Sequence, residues 1–451
     1  MFKSVLIANR GEIARRIIRG CKEQNIRTVA IYTEADQDMP FVREADVAEL
    51  IGKDQVKDSY LNIDKVIAAA KKHEVDAIHP GYGLLSENIA FVNECRDHGI
   101  TFIGPSPEAI EQMGDKIASR ELMAKHHIPL VPGNNNIADA AAAKQFAEEI
   151  GYPIMLKASA GGGGIGMQRI DDPSKLEKAF ESNQRRAENF FGNGAMFIEK
   201  FIEQPRHIEI QVLADKHGNT IHLYERECSV QRRHQKVIEE SPSANLTQET
   251  REKMGATAVK IAEAIGYYNA GTVEFLVDKD ENFYFLEMNT RLQVEHPVTE
   301  ETTGVDLVYW QLKIANDEPL EIKQEDVKQR GHSIELRLYA EDPKTFFPSP
   351  GEITHLKWPE GAIRLDAAID GPIKITPFYD PMIAKIICHQ DTRDASIQSL
   401  VDYLEQLELE GIKTNRTMLI DCLTNAVFRS GKYTTNFVEE EIAVKKTGQQ
   451  K

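Results

Sequence analysis

The first hundred residues alternate short apolar runs with amphipathic ones, and this rhythm restricts the fold more than any other feature of the chain. Ser4 to Ala8 reads as a buried strand. Glu12 to Glu23 carries Ile13, Ile17 and Cys21 at i, i+4 spacing, which is one face of a helix, and Arg27 to Tyr32 reads as a second strand. The pattern recurs with a helix near 63–72, a strand near 77–79, a helix near 89–98 and a strand near 101–103. Strands alternating with helices build a parallel sheet, whose ligand-facing loops leave the carboxyl ends of the strands. Two such loops are Asn9-Arg10-Gly11-Glu12 and His79-Pro80-Gly81-Tyr82-Gly83, the latter too rich in Pro and Gly to continue a regular element.

Near residues 129–136, Pro129, Pro132, Gly133 and three asparagines mark a boundary. A compact stretch follows to Phe201, with a helix near 138–149, a strand near 152–157, a glycine run and a strand near 195–199. Residues 205–300 read as several strands around one long helix near 247–265. From Gly331 short strands between turns dominate, before a helix near 394–408 and a polar tail from Lys445 that is expected to be disordered. The 451 residues suffice for about three domains.

Charge narrows the partners. Asp and Glu number 71 against 54 Lys and Arg, a net −17 that repels phosphate backbones and anionic lipid, so neither nucleic acid nor a membrane surface is expected. No run approaches the roughly 20 apolar residues of a spanning helix, and the apolar start, Met1 to Ala8, is too short for a signal peptide. Five scattered cysteines without a C-x-x-C pair argue against a disulfide framework or a structural zinc site, and suit a reducing, cytoplasmic setting.

Three constellations carry chemistry. In Lys157-Ala158-Ser159-Ala160-Gly161-Gly162-Gly163-Gly164-Ile165-Gly166-Met167, the glycines formally satisfy G-x-G-x-x-G. A short strand and turn follow rather than a helix, which rejects a dinucleotide site, and no Lys-Ser/Thr stands at Walker spacing. Two readings remain: a surface loop, or a strand–glycine–strand flap whose bare N–H groups close over phosphates, with Lys157 as a cation.

The second constellation is a pair of acidic strands, residues 271–278 and 283–289, flanking the polar turn Lys279 to Asn282. If 278 pairs with 283, then 276 meets 285 and Glu274 stands opposite Glu287. Opposed like charges destabilise a sheet unless a cation lies between them. Glu274, Glu287 and Asn289 are hard oxygen ligands suited to Mg²⁺ or Mn²⁺ bridging phosphate oxygens; acids at a solvated sheet edge are the alternative.

The third is Asn289-Thr290-Arg291-Leu292-Gln293-Val294-Glu295-His296-Pro297, just beyond the proposed metal strand. Pro297 is expected to break any zincin-type helix. An arginine holds a planar oxyanion in bidentate fashion, and a neighbouring carboxylate serves as a general base. Glu225 to Glu240 adds Arg226, Arg232, Arg233, His234 and Lys236 amid four glutamates, a pattern a salt-bridged face also explains. Read by themselves, these residues describe a Mg-nucleotide enzyme with a glycine flap and an oxyanion pocket, and leave the substrate unnamed.

Residues 6–14, 79–88 and 285–296, the glycine run, Phe347-Pro348-Ser349-Pro350-Gly351 and Tyr379-Asp380-Pro381-Met382 together resemble biotin carboxylase, a branch of the ATP-grasp superfamily, and the resemblance runs to about Glu440. It implies a mixed α/β and α+β fold: a Rossmann-like parallel-sheet domain (1–113), a helical linker (114–130), a mobile glycine-flap lid (131–203), an ATP-grasp catalytic domain (204–330), a β-rich C-terminal domain (331–446) and a polar tail (447–451).

The implied reaction phosphorylates bicarbonate with ATP to carboxyphosphate, then passes the carboxyl group to biotin borne on a carrier protein. By resemblance, ATP meets Lys116, Lys157, Gly163, Gly164, Glu199, Lys200, Ile202, His207, Gln231 and His234. Glu274, Glu287 and Asn289 hold Mg²⁺ or Mn²⁺, two ions in all. Bicarbonate meets Lys236, Arg291, Gln293 and Val294, Glu295 is its base, and Arg337 stabilises the charge developing on biotin. Ala160 and Ile165 depart from the glycine and arginine common at those flap positions, which bears on flap dynamics. No Ala/Val-Met-Lys-Met attachment site and no carriage of a carboxyltransferase domain are evident. A free-standing subunit of acetyl-CoA carboxylase is therefore expected, partnered by carrier and carboxyltransferase subunits and forming a homodimer; Arg16, Arg19 and Glu23 match charged positions used at that interface in the family, and solvation of the first helix explains them as well. Alternatives are the corresponding component of another acyl-CoA or pyruvate carboxylase, another ATP-grasp ligase, or an ATP-sensing subunit without chemistry.

Overall fold

The computed structural model describes residues 1–159 and 167–443. Gly163 and Gly164, with Ala160 and Ile165, lie outside the described residues, as does the polar tail. The opening rhythm becomes a five-stranded parallel sheet in the order β3-β2-β1-β4-β5, from β1 (Ser4–Ile7), β2 (Arg27–Thr33), β3 (Val47–Gly52), β4 (Ala77–His79) and β5 (Thr101–Phe102). β1 is buried throughout, as a strand covered by helices on both faces must be. Helices Gly11–Glu23, Ile63–Lys72 and Ile89–Asp97 supply the cover; the Asn62 and Asn88 side chains accept from Lys65 N and Phe91 N and so begin the last two.

Helices Pro107–Gly114 and Lys116–Lys125 link this unit to a four-stranded sheet, β6 (Gly133–Ile137), β7 (Ile154–Ala158), β8 (Met167–Ile170) and β9 (Met196–Lys200), in the order β6-β9-β7-β8. Ile154 and Leu156 point to one side of β7, where Ala143, Ala147 and Phe180 of helices Ala140–Ile150 and Leu176–Phe191 pack against them.

The largest sheet has eight antiparallel strands in the order β14-β13-β10-β11-β12-β15-β20-β18. They are β10 (Arg206–Ala214), β11 (Thr220–Arg232), β12 (Gln235–Ser241), β13 (Asn269–Val277), β14 (Phe283–Asn289), β15 (His332–Tyr339), β18 (Arg364–Ala367) and β20 (Met382–Gln390). Two-stranded pairs complete the chain, β16 (Gly351–Glu352) with β19 (Lys374–Ile375) and β17 (His355–Lys357) with β21 (Glu408–Glu410). The sheet runs across residues 330/331, and β15 and β20, at eight and nine residues, are longer than the short strands expected there.

β10 shows how the sheet positions a site. Ile208, Ile210 and Val212 face helix Gln248–Ala264, meeting Met254, Ala258 and Ile261. The alternate residues His207, Glu209 and Gln211 therefore share the opposite face, and all three are buried. A polar stripe enclosed on both sides must find its partners within the protein.

Candidate active site

Glu274 and Glu287 stand opposite each other, but not by the expected route. Val277 pairs with Phe283, where 278 was expected. The reason is local: Asp278 Oδ1 accepts the N–H groups of Asp280 and Asn282 at 2.9 Å, drawing Asp278 into the turn. Phe275 then pairs with Phe285 and Glu274 with Glu287, so Leu286 is an extra residue, a bulge that restores the opposition. Phe285 N also donates to Pro129 O at 2.8 Å, fixing this edge against the linker.

The row extends through Glu209, which sequence reasoning missed, to Arg226, noted there only as part of a charged segment. Glu209 is the register partner of both Glu274 and Arg226, giving Arg226–Glu209–Glu274–Glu287 across four strands. Arg226 is fully buried and donates to Glu209 at 2.6 Å, Gln211 at 2.7 Å, and Thr272 and Thr299 at 3.0 Å. The only sequence signal for Glu209 was its polar place in the alternation Ile208-Glu209-Ile210-Gln211-Val212.

Lys236 ties this row to the third motif. Its ammonium lies 2.6 Å from Glu209, 2.9 Å from Glu274, 2.7 Å from Glu295 and 3.3 Å from Gln293 Oε1. Burial disfavours the charge, yet the three carboxylates raise the Lys236 pKa well above its usual value. Burial likewise opposes ionisation of Glu295, but Lys236 and Arg337 outweigh it and hold that carboxyl far below the usual range. Glu274 is depressed the same way, against burial, by Lys236 and His207, the latter 3.0 Å away. Glu287 goes in the other direction: burial and the charge of Glu274 push its carboxyl up, with Lys116 at 3.8 Å its nearest cation.

Helix His296–Thr303 follows immediately. Pro297 lies in its first turn, where a missing N–H costs nothing, so it starts a helix rather than breaking one. Arg291 Nε donates to Glu87 Oε2 at 2.9 Å and its Nη2 to Asn289 Oδ1 at 2.9 Å. Glu87 Oε1 also accepts from Thr290 N, so the loop after β4 clamps Arg291. Arg337 on β15 meets Glu295 at 3.0 Å and Glu239 at 2.5 Å.

The nucleotide candidates close the opposite side. Glu199 pairs with Lys157 and with Arg120, an arginine not anticipated. Gln231 donates to His207 Nδ1 at 3.1 Å. Arg233 and His234 form the turn between β11 and β12, both with positive φ, as a tight two-residue hairpin requires. The Lys200 ammonium instead holds the carbonyls of Gly151 and Tyr152, at 2.9 and 3.2 Å. A cavity of about 470 Å³ is lined by every sequence-named site residue among the described residues. Thr435 and Asn436, from near the chain's end, join its wall unannounced by any motif.

The donor set fits a divalent ion: Glu274 and Glu287 share one register position, are hard oxygens, and leave Glu287 short of a counter-charge. Asn289 is held beside Glu274 at 2.9 Å. His207, Glu209 and Glu274, or Glu209, Cys228 and Glu295, also bring ligand atoms within 4.8 Å of one another, but Lys236 already occupies the midst of those carboxylates. Arg16, expected at a dimer surface, is buried between Glu300 at 2.9 Å and Asp306 at 2.8 Å, so its charge is spent inside the chain.

Comparison with known proteins agrees over almost the whole length. Residues 1–110 match the family model for the biotin carboxylase N-terminal domain, 115–323 that for the carbamoyl-phosphate synthase L chain ATP-binding domain, and 335–440 that for the biotin carboxylase C-terminal domain. A biotin carboxylase of Halalkalibacterium halodurans is 58% identical over 99% of both chains. A biotin carboxylase–β,γ-ATP complex from Campylobacter jejuni superposes with a TM-score of 0.95 at 47% identity, covering 97% of this chain and 99% of that one. The biotin carboxylase domain dimer of 2-oxoglutarate carboxylase from Hydrogenobacter thermophilus, solved with MgADP, ADP and bicarbonate, gives 0.94 at 49% identity and 98% coverage of each. With three family models in order along it and a near-complete match in sequence and backbone, the chain belongs to the biotin carboxylase family.

Proposed function

We infer that this chain is an ATP-dependent ligase that carboxylates biotin with bicarbonate, and that the residues lining the 470 Å³ cavity perform it. The observation that carries the reading is the convergence of Lys236, Arg337 and Glu295, an ionised carboxylate held between two cations beside a nucleotide-sized cavity.

Bicarbonate binds as an anion between Arg291 and Lys236, with Gln293 and Val294 completing the cradle. Its negative charge draws Lys236 away from Glu295, and the depressed carboxylate regains basicity where it is needed. Glu295 removes the bicarbonate proton, a bicarbonate oxygen attacks the γ-phosphorus of ATP, and ADP departs, leaving carboxyphosphate. Lys116, Lys157 and His207 hold the phosphates in line for this attack. Glu274, Glu287 and Asn289 would hold Mg²⁺ or Mn²⁺, which when bound neutralises charge on the β- and γ-phosphate oxygens.

In the second half-reaction the departing phosphate takes the proton of the biotin ureido nitrogen, and that nitrogen forms its bond to the carboxyl carbon as the carbon–phosphate oxygen bond breaks. Negative charge gathers on the ureido oxygen, and Arg337 supplies a fixed cation for it, an effect worth about 10²–10³ in rate for a single well-placed donor. Carboxyphosphate hydrolyses in water, so the sheet β6–β9, which gives Met155, Lys157, Met167 and Glu199 to the cavity wall, serves to exclude solvent.

Carboxylation of free biotin from labelled bicarbonate, dependent on ATP and Mg²⁺, tests the reading. ATP cleavage indifferent to bicarbonate and biotin would overturn it. We place the chain with a biotin carrier protein and carboxyltransferase subunits, as a homodimer, in acetyl-CoA carboxylase. A 2-oxoacid carboxylase is the second reading, favoured by the 49% identity to the Hydrogenobacter domain. Reconstitution with each class of carboxyltransferase separates the two. Among the described residues no helix is long and apolar enough to cross a membrane, and the five cysteines are buried free thiols, which supports a cytoplasmic location.

A further inference from the structure

Two of the large apolar side chains that face solvent are aromatic and stand at the same end of the site sheet: Phe347 is 64% exposed and Phe378 41%. Singly, such residues need no explanation. These two are joined through the backbone. Phe347 lies on the loop leaving β15, and Phe378 on the loop entering β20. Ala340 N donates to Pro381 O at 2.8 Å, which ties the two loops together, and Ser349 N to Ala340 O at 2.7 Å closes the first loop on itself.

Both loops are held rigidly. Phe346 has φ +61°, a left-handed backbone that bulky residues rarely adopt, and it turns consecutive rings apart. Phe346 packs under the Arg232 guanidinium at 5.1 Å, whereas Phe347 is left outward with Arg233 at 5.7 Å. Arg232 is paired with Glu341 in turn. Across the way, the Tyr379 ring carries Arg10 at 4.2 Å and its hydroxyl meets Thr33 at 2.5 Å. The neighbours of each exposed ring are therefore anchored before anything binds, so little backbone ordering remains to be spent on docking.

The position matters as much as the rigidity. Arg337 lies on β15, and the loop bearing Phe347 begins at Ala340, immediately past the end of that strand. Arg233 is the turn neighbour of His234, which lines the cavity. Arg233 and Lys344 are exposed beside Phe347, where Glu341 and Asp342 are already paired with Arg232 and Lys413, and Asp380 is exposed two residues from Phe378.

We propose that Phe347 and Phe378, with Arg233 and Lys344, form the docking surface for the biotin-bearing carrier domain, which presents an apolar spot flanked by carboxylates beside its biotinyl-lysine. The proposal rests on the carboxylation reading above. Position rather than charge selects the carrier over a second copy of this chain, itself of net charge −17: the patch adjoins the end of β15, the strand that bears Arg337, where a tethered biotin must be delivered. Aromatic anchors with a charged rim are the usual anatomy of such a contact.

The test compares two forms of one substrate. Phe347→Ser, Phe378→Ser and the double variant are assayed with a purified, biotinylated carrier domain and with free biotin. The double variant is expected to lose at least about tenfold in kcat/KM toward the carrier, chiefly through KM, a loss typical of removing anchor residues. Free-biotin carboxylation and bicarbonate-dependent ATP cleavage are expected to stay unchanged. Unaltered carrier kinetics, or equal losses with both substrates, would overturn the proposal. Independently, the unbiotinylated carrier domain added to the native protein is expected to slow amide exchange at 342–348 and 376–380, and no slowing there would also overturn it. Absence of free-biotin carboxylation by the native protein would instead sink the activity itself, so the two failures are distinguishable.

Discussion

Arg337 and Glu295 meet at 3.0 Å, and the same guanidinium nitrogen lies 2.5 Å from Glu239. In the proposed reaction one arginine therefore orients the base of the first half-reaction and serves again in the second. Arg337→Ala is expected to reduce biotin carboxylation by about 10²–10³, the scale of a lost oxyanion donor. Bicarbonate-dependent ATP cleavage should fall less, because Lys236 still holds Glu295 at 2.7 Å. Parallel assays of the two activities check this, and an equal loss in both contradicts the assignment.

Glu287 carries a burden in the metal-free protein, since burial and Glu274 push its carboxyl up. An acid raised in the folded state is penalised as pH climbs through its unfolded value toward its folded one, and the penalty persists above that. Glu287→Gln removes it. The ligand-free variant should melt no lower than the parent at neutral pH, while turnover and the stabilisation conferred by Mg²⁺ with nucleotide disappear. Thermal melts with and without MgATP, beside a turnover assay, decide the matter.

Glu87 lies on the loop after β4 of the N-terminal unit yet holds Arg291 at 2.9 Å. Glu87→Ala should free the guanidinium and raise the KM for bicarbonate by about tenfold, as positional errors near 1 Å commonly cost 10-fold or more. The KM for ATP should hardly move. A matching rise in both would show that the clamp is not specific to the anion.

Glu240 makes a prediction about pH. Burial opposes its ionisation, but His332 at 2.5 Å and Arg393 at 2.6 Å outweigh burial and lower its pKa from 4.5 to about 2. A depressed carboxyl contributes stability that is complete above pH 4.5 and is lost as pH falls toward 2. The contribution is on the order of 3 kcal/mol. Glu240→Gln should cost stability at pH 7, and the gap between variant and parent should narrow through the acid limb. Melting temperatures measured from pH 7 down to pH 3 follow it.

Much of the site could be read from neighbouring letters. Arg291, Gln293 and Glu295 lie within five residues, and one motif delivers them to one wall because the chain between them is too short to do otherwise. Glu274 and Glu287 were legible as a hairpin pair, although the path through Asp278 and Leu286 was not, since an Asx turn and a bulge cancel each other's effect on register. Pro297 was misjudged because the same residue that breaks a helix interior is welcome in its first turn.

Local periodicity and short motifs, set by steric and hydrogen-bond rules acting over a few residues, determined the parallel sheet at the front, the helices Gly11–Glu23 and Ile63–Lys72, and the kinds of chemistry present. The tertiary structure alone decided that Glu209 and Arg226 lie in line with Glu274, that Glu87 reaches Arg291, and that β15 and β20 extend the sheet begun by β10. Those partners are separated by up to 204 residues, and no local pattern specifies which strand will lie beside which. Only closing the sheet around a buried polar stripe does so, because every charge enclosed there must find its counter-charge.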